Sequence, residues 1–329
     1  MKSLNPYFIT IAAFLFSLGA QANDTSATIA SGGLEFIQQE AVAMLQEDLR
    51  ITPERIDVRY VFRNESDRDI TTLVAFPLPD IGAITDFSNP ILPDQDAVNF
   101  VDFATRVNGQ PIEMALDQRV IALGVDRTAM LREYGLPLEP YKSSTHDALA
   151  ALRPDQKTQL RMVGLLRDDF DYEEAGWTMH TTYYWEQSFP AGREVVIEHS
   201  YRPVAGRSVA APLGYGDPQG ETAQQAKAAY CISDDLATSI EINKPRTKDE
   251  YGMPYTSATV EYILKTGANW SGPIRKFNLT VEAASPAHYA FLCLDGVHRI
   301  SRSRLELSEE DFWPQRDLDI LFIEPAEGN

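Results

Sequence analysis

Apolar and polar positions alternate along much of this chain, most clearly from Ile56 to Asp80. Ile56, Val58, Tyr60 and Phe62 fall on one side of a period-two pattern, and Ile70, Thr72, Val74 and Phe76 do so after it. The polar stretch Asn64 to Asp69 lies between them, so the unit reads as a β-hairpin with one buried face. Pro77 and Pro79 cannot donate to a ladder and end the second strand. Asn99 to Val107 alternates again and runs into Asn108-Gly109, a strong hairpin-turn signal. Thr178 to Phe189 and Glu194 to Tyr201 read as two further strands joined by Pro190-Ala191-Gly192. Leu34, Phe36, Val42 and Met44 suggest short strands at a sheet edge.

Between residues 116 and 167 the period changes. Val120, Leu123, Arg127, Met130, Leu131 and Tyr134 recur at spacings of three and four, which predicts a helix over Arg119 to Tyr134 with Gly135 as its C-cap. Ser144 or Thr145 caps a second helix through Leu152, and Asp155 opens a third that runs to about Leu166. The stretch from Arg202 to Gly220 is rich in Gly, Pro and Ala and marks a boundary. After it come a short helix, Glu221 to Tyr230, and five strands: Ala258–Lys265, Ile274–Glu282, Tyr289–Leu294, Arg304–Leu307 and Leu318–Ile323. The expected fold is mainly β, with two β-sandwich-like domains at 23–205 and 206–329. The first carries the helical insertion at about 116–167.

The N-terminus changes where this fold is expected to live. Lys2, the apolar run Phe8 to Leu18 and the small-x-small triplet Ala20-Gln21-Ala22 predict a cleaved signal peptide over residues 1–22. The run is too short for a bilayer, which takes about 20 apolar residues, so no stable membrane span is expected after cleavage. The expected location is the periplasm or the medium. Cys231 and Cys293 suit an oxidising compartment, and two cysteines allow one intramolecular bond. Formal charge is −19, and −20 once Lys2 leaves with the leader. No basic stripe offsets it, which argues against nucleic acid as a partner.

Two resemblances rest on short motifs. The first domain resembles the vault inter-alpha-trypsin β-sandwich through Tyr60-Val61-Phe62-Arg63-Asn64, Phe76-Pro77-Leu78-Pro79, and Phe103 to Asn108-Gly109. Phe189-Pro190-Ala191-Gly192 with Val195, Ile197 and Tyr201 closes that likeness. The adhesion string D-x-S-x-S of vault-type proteins has only Asp24-Thr25-Ser26-Ala27-Thr28 as a counterpart, taken as chance. The whole chain is similar to a family of exported bacterial proteins known as domain of unknown function 4424. Gly32-Gly33-Leu34, Tyr183-Tyr184-Trp185-Glu186-Gln187, His199-Ser200-Tyr201 and Asn269-Trp270-Ser271-Gly272-Pro273-Ile274 with Phe277 carry this second likeness. It implies export and no established activity.

Candidate chemistry is sparse. There is no G-x-S-x-G, no H-E-x-x-H and no G-x-x-x-x-G-K-[ST]. His180 and His199 lie on strands flanking one turn; if they meet, Glu186 or Glu198 would complete a metal or acid/base cluster. Asp168 to Glu174 is the densest acidic run, and Asp169 and Asp171 are its candidate metal ligands. Calcium takes about six to eight oxygens, but the run lacks the spaced pattern of a dedicated loop. No cofactor is predicted beyond that calcium option. Trp177, Tyr183, Tyr184 and Trp185 form an aromatic cluster; Tyr183 and Trp185 share a strand face and, with Trp270, are candidate binding residues. Arg299, Arg302 and Arg304 make a small basic patch.

The leading reading is a non-enzymatic envelope protein that binds a macromolecule, an envelope protein or a glycan. The alternatives are a hydrolase or metal-dependent enzyme around His180 and His199, and small-ligand binding between the two domains.

Overall fold

A computed structural model describes residues 24–326 apart from 31–32, 83–89, 92–97, 168–172, 215–216 and 246–251. The predicted leader and the run around Asp169 and Asp171 lie outside the described residues. The chain opens with β1 (Thr25–Ala30) and β2 (Gly33–Ile37), a hairpin, followed by the pair β3 (Val42–Ile51) and β4 (Ile56–Asn64). β5 (Ile70–Pro77), β6 (Pro90–Ile91), β7 (Ala104–Val107), β8 (Gln110–Pro111), β9 (Ala115–Ala122) and β10 (Val125–Asp126) come next. Helices α1 (Thr128–Glu133), α2 (Ser143–Ala150) and α3 (Pro154–Met162) precede the short pair β11 (Leu166–Arg167) and β12 (Glu174–Ala175). Then follow β13 (Thr178–Phe189), β14 (Glu194–Tyr201), β15 (Ala205–Ser208), α4 (Glu221–Ala229) and α5 (Asp234–Ile242). The last strands are β16 (Tyr255–Tyr262), β17 (Ile274–Glu282), β18 (Tyr289–Leu292), β19 (His298–Ser301), β20 (Arg304–Phe312) and β21 (Leu318–Pro325).

Three large sheets result. One has six strands in the order β10-β9-β13-β5-β1-β2, one eight in the order β19-β20-β17-β3-β4-β14-β7-β8, and one five in the order β18-β21-β16-β15-β6. The fold is mainly β, as expected, but its connectivity differs from the sequence reading in an instructive way. β4 and β5 do not pair with each other: β4 lies between β3 and β14, and β5 between β13 and β1. The turn at 65–69 is therefore an arch that carries the chain from one sheet to the other. The same holds for β13 and β14, joined at 190–193, which belong to different sheets.

Asn64 fastens the two arches. Its amide nitrogen donates to the carbonyls of Arg68 and Phe189 at 2.8 Å, and its Oδ1 accepts from the backbone N–H and hydroxyl of Ser66. Its own backbone accepts from Gly192. A buried amide with both ends satisfied holds two sheet crossings together.

One apolar core joins the inner faces of all three sheets, from Val42 and Phe62 through Phe76 and Trp185 to Phe277 and Phe322. The boundary expected near residue 205 falls inside β15. The eight-stranded sheet takes β3, β4, β7, β8 and β14 from one side of that boundary and β17, β19 and β20 from the other. β3 and β17 join the two contributions as a parallel pair.

Other expectations are corrected locally. Arg119 to Asp126 is not helical; it forms the β9–β10 hairpin, turned by Leu123 and Gly124 at φ 50° and 75°, and the helix is only α1. The i, i+3, i+4 spacing there is shared by a strand and a short helix whose apolar residues meet in one satellite core around Leu131, Leu149, Leu160 and Trp177. Val42 and Met44 do not sit at an edge either, because β3 lies inside the largest sheet. Cys231 and Cys293 are bonded, tying the turn after α4 to the residue that follows β18 across a separation of 62 residues. α4 and α5 cover the outer face of the five-stranded sheet through Ala223, Ala237 and Ile240 against Tyr255, Phe291 and Ile323.

Candidate functional site

His180 and His199 do not meet. Strand alternation on β13 turns Met179, Thr181, Tyr183 and Trp185 into the core and His180 outward, where its Nε2 lies 3.1 Å from Asp80. His199, on β14, points the other way, into the space between sheets. Its Nε2 is 2.9 Å from Asp24 Oδ1 and its Nδ1 2.8 Å from Thr105 Oγ1. Rings of Phe76, Phe103, Trp185 and Tyr60 surround the imidazole at centroid distances of 5.0 to 5.8 Å. Glu186 and Glu198 both face outward, so the expected cluster with either carboxylate does not form. Among the described residues no group of three metal-ligating side chains is assembled.

The Asp24–His199–Thr105 chain has the order of a nucleophile triad, carboxylate to imidazole to hydroxyl. Asp24 and His199 side chains, however, have no solvent exposure, and Thr105 is 3 % exposed. Burial pushes the Asp24 carboxyl up, and His199 offsets part of that. Trp270 Nε1 donates to the Asp24 carbonyl at 2.7 Å and Asn269 donates to Thr25, so the start of β1 is locked into the core.

A second buried polar group stands beside the first. Tyr60 and Tyr262 hydroxyls are 3.1 Å apart, and the fully buried Glu47 lies 3.5 Å from Tyr262. Burial raises both phenols far above their usual range, with the other phenol and Glu47 raising Tyr60 further and Glu47 and Tyr201 raising Tyr262. A β-bulge between Met44 and Gln46 explains how Glu47 comes to face inward. One extra residue reverses the alternation, so Met44 and then Glu47, Leu49 and Ile51 all point to the core.

The same bulge sends Asp48 and Arg50 to the outer face of the eight-stranded sheet, where a concave groove of about 640 Å³ lies open to solvent. Across its floor runs a row set by strand register: Asn278, Asp48, Arg59, Glu198 and Arg106, from β17, β3, β4, β14 and β7. The signs alternate from Asp48 onward. Beside it runs a second row of Thr280, Arg50, Asp57, Ser200 and Ala104. Asp48 accepts from Asn278 at 2.7 Å and from Gln46, with Arg59 at 3.6 Å. Arg50 pairs with Glu282 at 2.8 Å and Arg55 with Asp57 at 2.7 Å. Arg106 donates to the Gly109 carbonyl at 3.3 Å and forms no ion pair among the described residues.

The aromatic candidates are core residues. Tyr183 and Trp185 are 4 % and 6 % exposed, and Tyr183 stacks on Phe103 at 4.5 Å and donates to Asn99. Trp270 packs on Phe62 at 4.5 Å inside the common core rather than over a second one. None of the three offers a ring to a ligand. Arg299 and Arg302 lie over the rings of Phe291 and Tyr289, and Arg304 pairs with Glu306 and Glu282, so that basic patch is internally committed. Asp24, Glu47 and the groove arginines went unrecognised in the sequence. Arg59, alternating with Val58 and Tyr60, and Arg106, between Thr105 and Val107, carried a signal there only as outward polar positions on strands.

The pattern of domain of unknown function 4424 (DUF4424) matches residues 22–321, nearly the whole chain. The chain belongs to the DUF4424 family. No curated protein matches this DUF4424 protein. Among solved structures it is similar to a candidate nutrient-binding protein from Legionella pneumophila, at 16 % identity and a TM-score of 0.46, covering 92 % of this chain and 71 % of that one. It is also similar to an M1 zinc metallopeptidase from Deinococcus radiodurans, at 11 % identity and a TM-score of 0.27, covering 89 % of this chain and 44 % of that one.

Proposed function

We propose that this protein is a non-enzymatic binding module of the cell envelope that presents the groove on its eight-stranded sheet to a macromolecular partner. The observation that carries the reading is the groove itself: four adjacent strands, β3, β4, β14 and β7, place opposite charges in register along an open, solvent-reached floor. Arrays of this kind give orientation and partner choice more than raw affinity. The triad-like Asp24–His199–Thr105 chain supports the same reading from the other side, since its carboxylate and imidazole have no solvent exposure and its hydroxyl belongs to a residue only 3 % exposed, which leaves a substrate no path to it. Export is part of the proposal. It rests on Lys2, Phe8 to Leu18 and Ala20-Gln21-Ala22, together with a disulfide suited to an oxidising compartment. Among the described residues no helix is long and apolar enough to cross a membrane.

The test is site-specific photocrosslinking in the native envelope. A photoreactive residue at Ser200, on the groove floor, should yield one dominant adduct. The same probe at Thr182, on the outer face of the six-stranded sheet, should yield none. Equal labelling from both positions, or none from either, overturns the proposal.

A further inference from the structure

We propose that Arg59 and Arg106 hold two carboxylates of an extended acidic peptide segment laid across the strands of the groove. This rests on the binding reading above and names the chemistry of the partner.

The four arginines of the groove are not equivalent. Arg50 and Arg55 are closed by Glu282 and Asp57 at 2.8 and 2.7 Å. Arg59 reaches Asp48 only at 3.6 Å, and that carboxylate already accepts from Gln46 and Asn278. Arg106 is exposed and has one carbonyl contact. A guanidinium carries five N–H donors in a planar fork that matches a carboxylate, so these two side chains retain most of their donor capacity.

Their spacing selects the ligand. Arg59 and Arg106 are register partners of Glu198 on either side of β14, so their strands are two steps apart, about 10 Å. An extended segment in the polyproline II conformation has about three residues per turn and rises about 3.1 Å per residue, so side chains three positions apart share one face about 9 Å from each other. Glu198 between them meets an N–H or a cationic side chain of the segment and repels a carboxylate placed midway. The groove therefore favours acids three positions apart over a continuous polyanion in one register. No aromatic side chain lines the groove among the described residues, which removes the stacking surface a sugar ring would use. The chain as a whole carries −19, yet four guanidinium groups line this groove, and only Arg50 and Arg55 among them are closed by a carboxylate, at 2.8 and 2.7 Å.

Fluorescence anisotropy of the full chain with three dye-labelled peptides tests this: one with glutamates three apart in a Gly-Ser background, its lysine counterpart, and the Gly-Ser background alone. The glutamate peptide should bind and weaken as salt rises. Arg59→Ala and Arg106→Ala should each weaken it roughly tenfold or more, while Arg132→Ala, on α1 and outside the groove, leaves it unchanged. If a variant does not fold, Arg59→Gln or Arg106→Gln replaces it, keeping the stem and removing the charge. No binding of the glutamate peptide, or binding indifferent to both arginines, overturns the proposal. Should that happen while Ser200 still crosslinks a partner, the ligand chemistry is wrong and the groove stands. Should crosslinking fail as well, the binding reading falls with it.

Discussion

His199 and Glu198 are neighbours on β14, and Thr105 and Arg106 are neighbours on β7, yet each pair is split between two environments. The inward members join a sealed hydrogen-bonded chain with Asp24. The outward members form part of an alternating row of charge in water. A polar group without solvent must have its partner supplied by the fold, and losing that partner costs the full desolvation of what remains. A polar group in water is replaceable, and its pairings contribute little to stability. The comparison teaches that on one sheet the buried face spends polar residues on uniqueness of the core, and the open face leaves them available for a partner.

The largest expected effect lies on the sealed side. His199→Ala leaves Asp24 buried beside a cavity and should cost about 3–5 kcal/mol in chemical denaturation. A loss under about 1 kcal/mol would mean that water reaches the pair, and the contrast between the faces would collapse. Asn64→Ala should come next, at about 2–4 kcal/mol, because it strips two carbonyls and the Ser66 donors at the crossing of the two arches. Unfolding monitored by circular dichroism would read both.

Asp80 sharpens the comparison, since it sits on an outer face yet is pushed up to about 7 by burial, with Glu261 adding to it. The folded chain then holds a proton that the unfolded chain releases near pH 4. Stability from this group is present at acid pH and is lost as pH rises from about 4 through about 7. Asp80→Asn should flatten that slope and raise the melting temperature near pH 8. The neighbouring His180 is lowered by burial and by Arg119, so it acts with the opposite sign, losing stability as pH falls through its folded value. An unchanged pH profile in the variant would show that Asp80 is well solvated. The smallest effect belongs to the groove: Asp48→Ala with Arg59→Ala should change stability by only about 0.2–1 kcal/mol in a double-mutant cycle.

Much of the strand content was readable from alternation alone. Thr178–Phe189, Glu194–Tyr201 and Ile274–Glu282 agree with β13, β14 and β17 to the residue. The inward set Ile56, Val58, Tyr60 and Phe62 is buried as the period requires. What alternation does not encode is which strand lies beside which. A polar turn between two half-buried strands fits a hairpin and an arch equally well, and both 65–69 and 190–193 are arches. His180 and His199 were separated by that ambiguity. Asp24 stood out only within the Asp24-Thr25-Ser26-Ala27-Thr28 string taken as chance, because the partners that meet it in the core, Trp270 and His199, lie far along the chain.

By itself the sequence determined the family, the β-rich class, the inward and outward sets on most strands and the cysteine pair. These follow from local period and composition, which need no knowledge of neighbours. The tertiary structure alone decided that the halves share one sheet, that a bulge in β3 turns Glu47 inward and Asp48 outward, and that Arg59 and Arg106 flank Glu198. Those outcomes depend on register between strands distant in sequence. Register is selected by the collective burial of whole faces, because a slip of one residue turns every side chain to the opposite side.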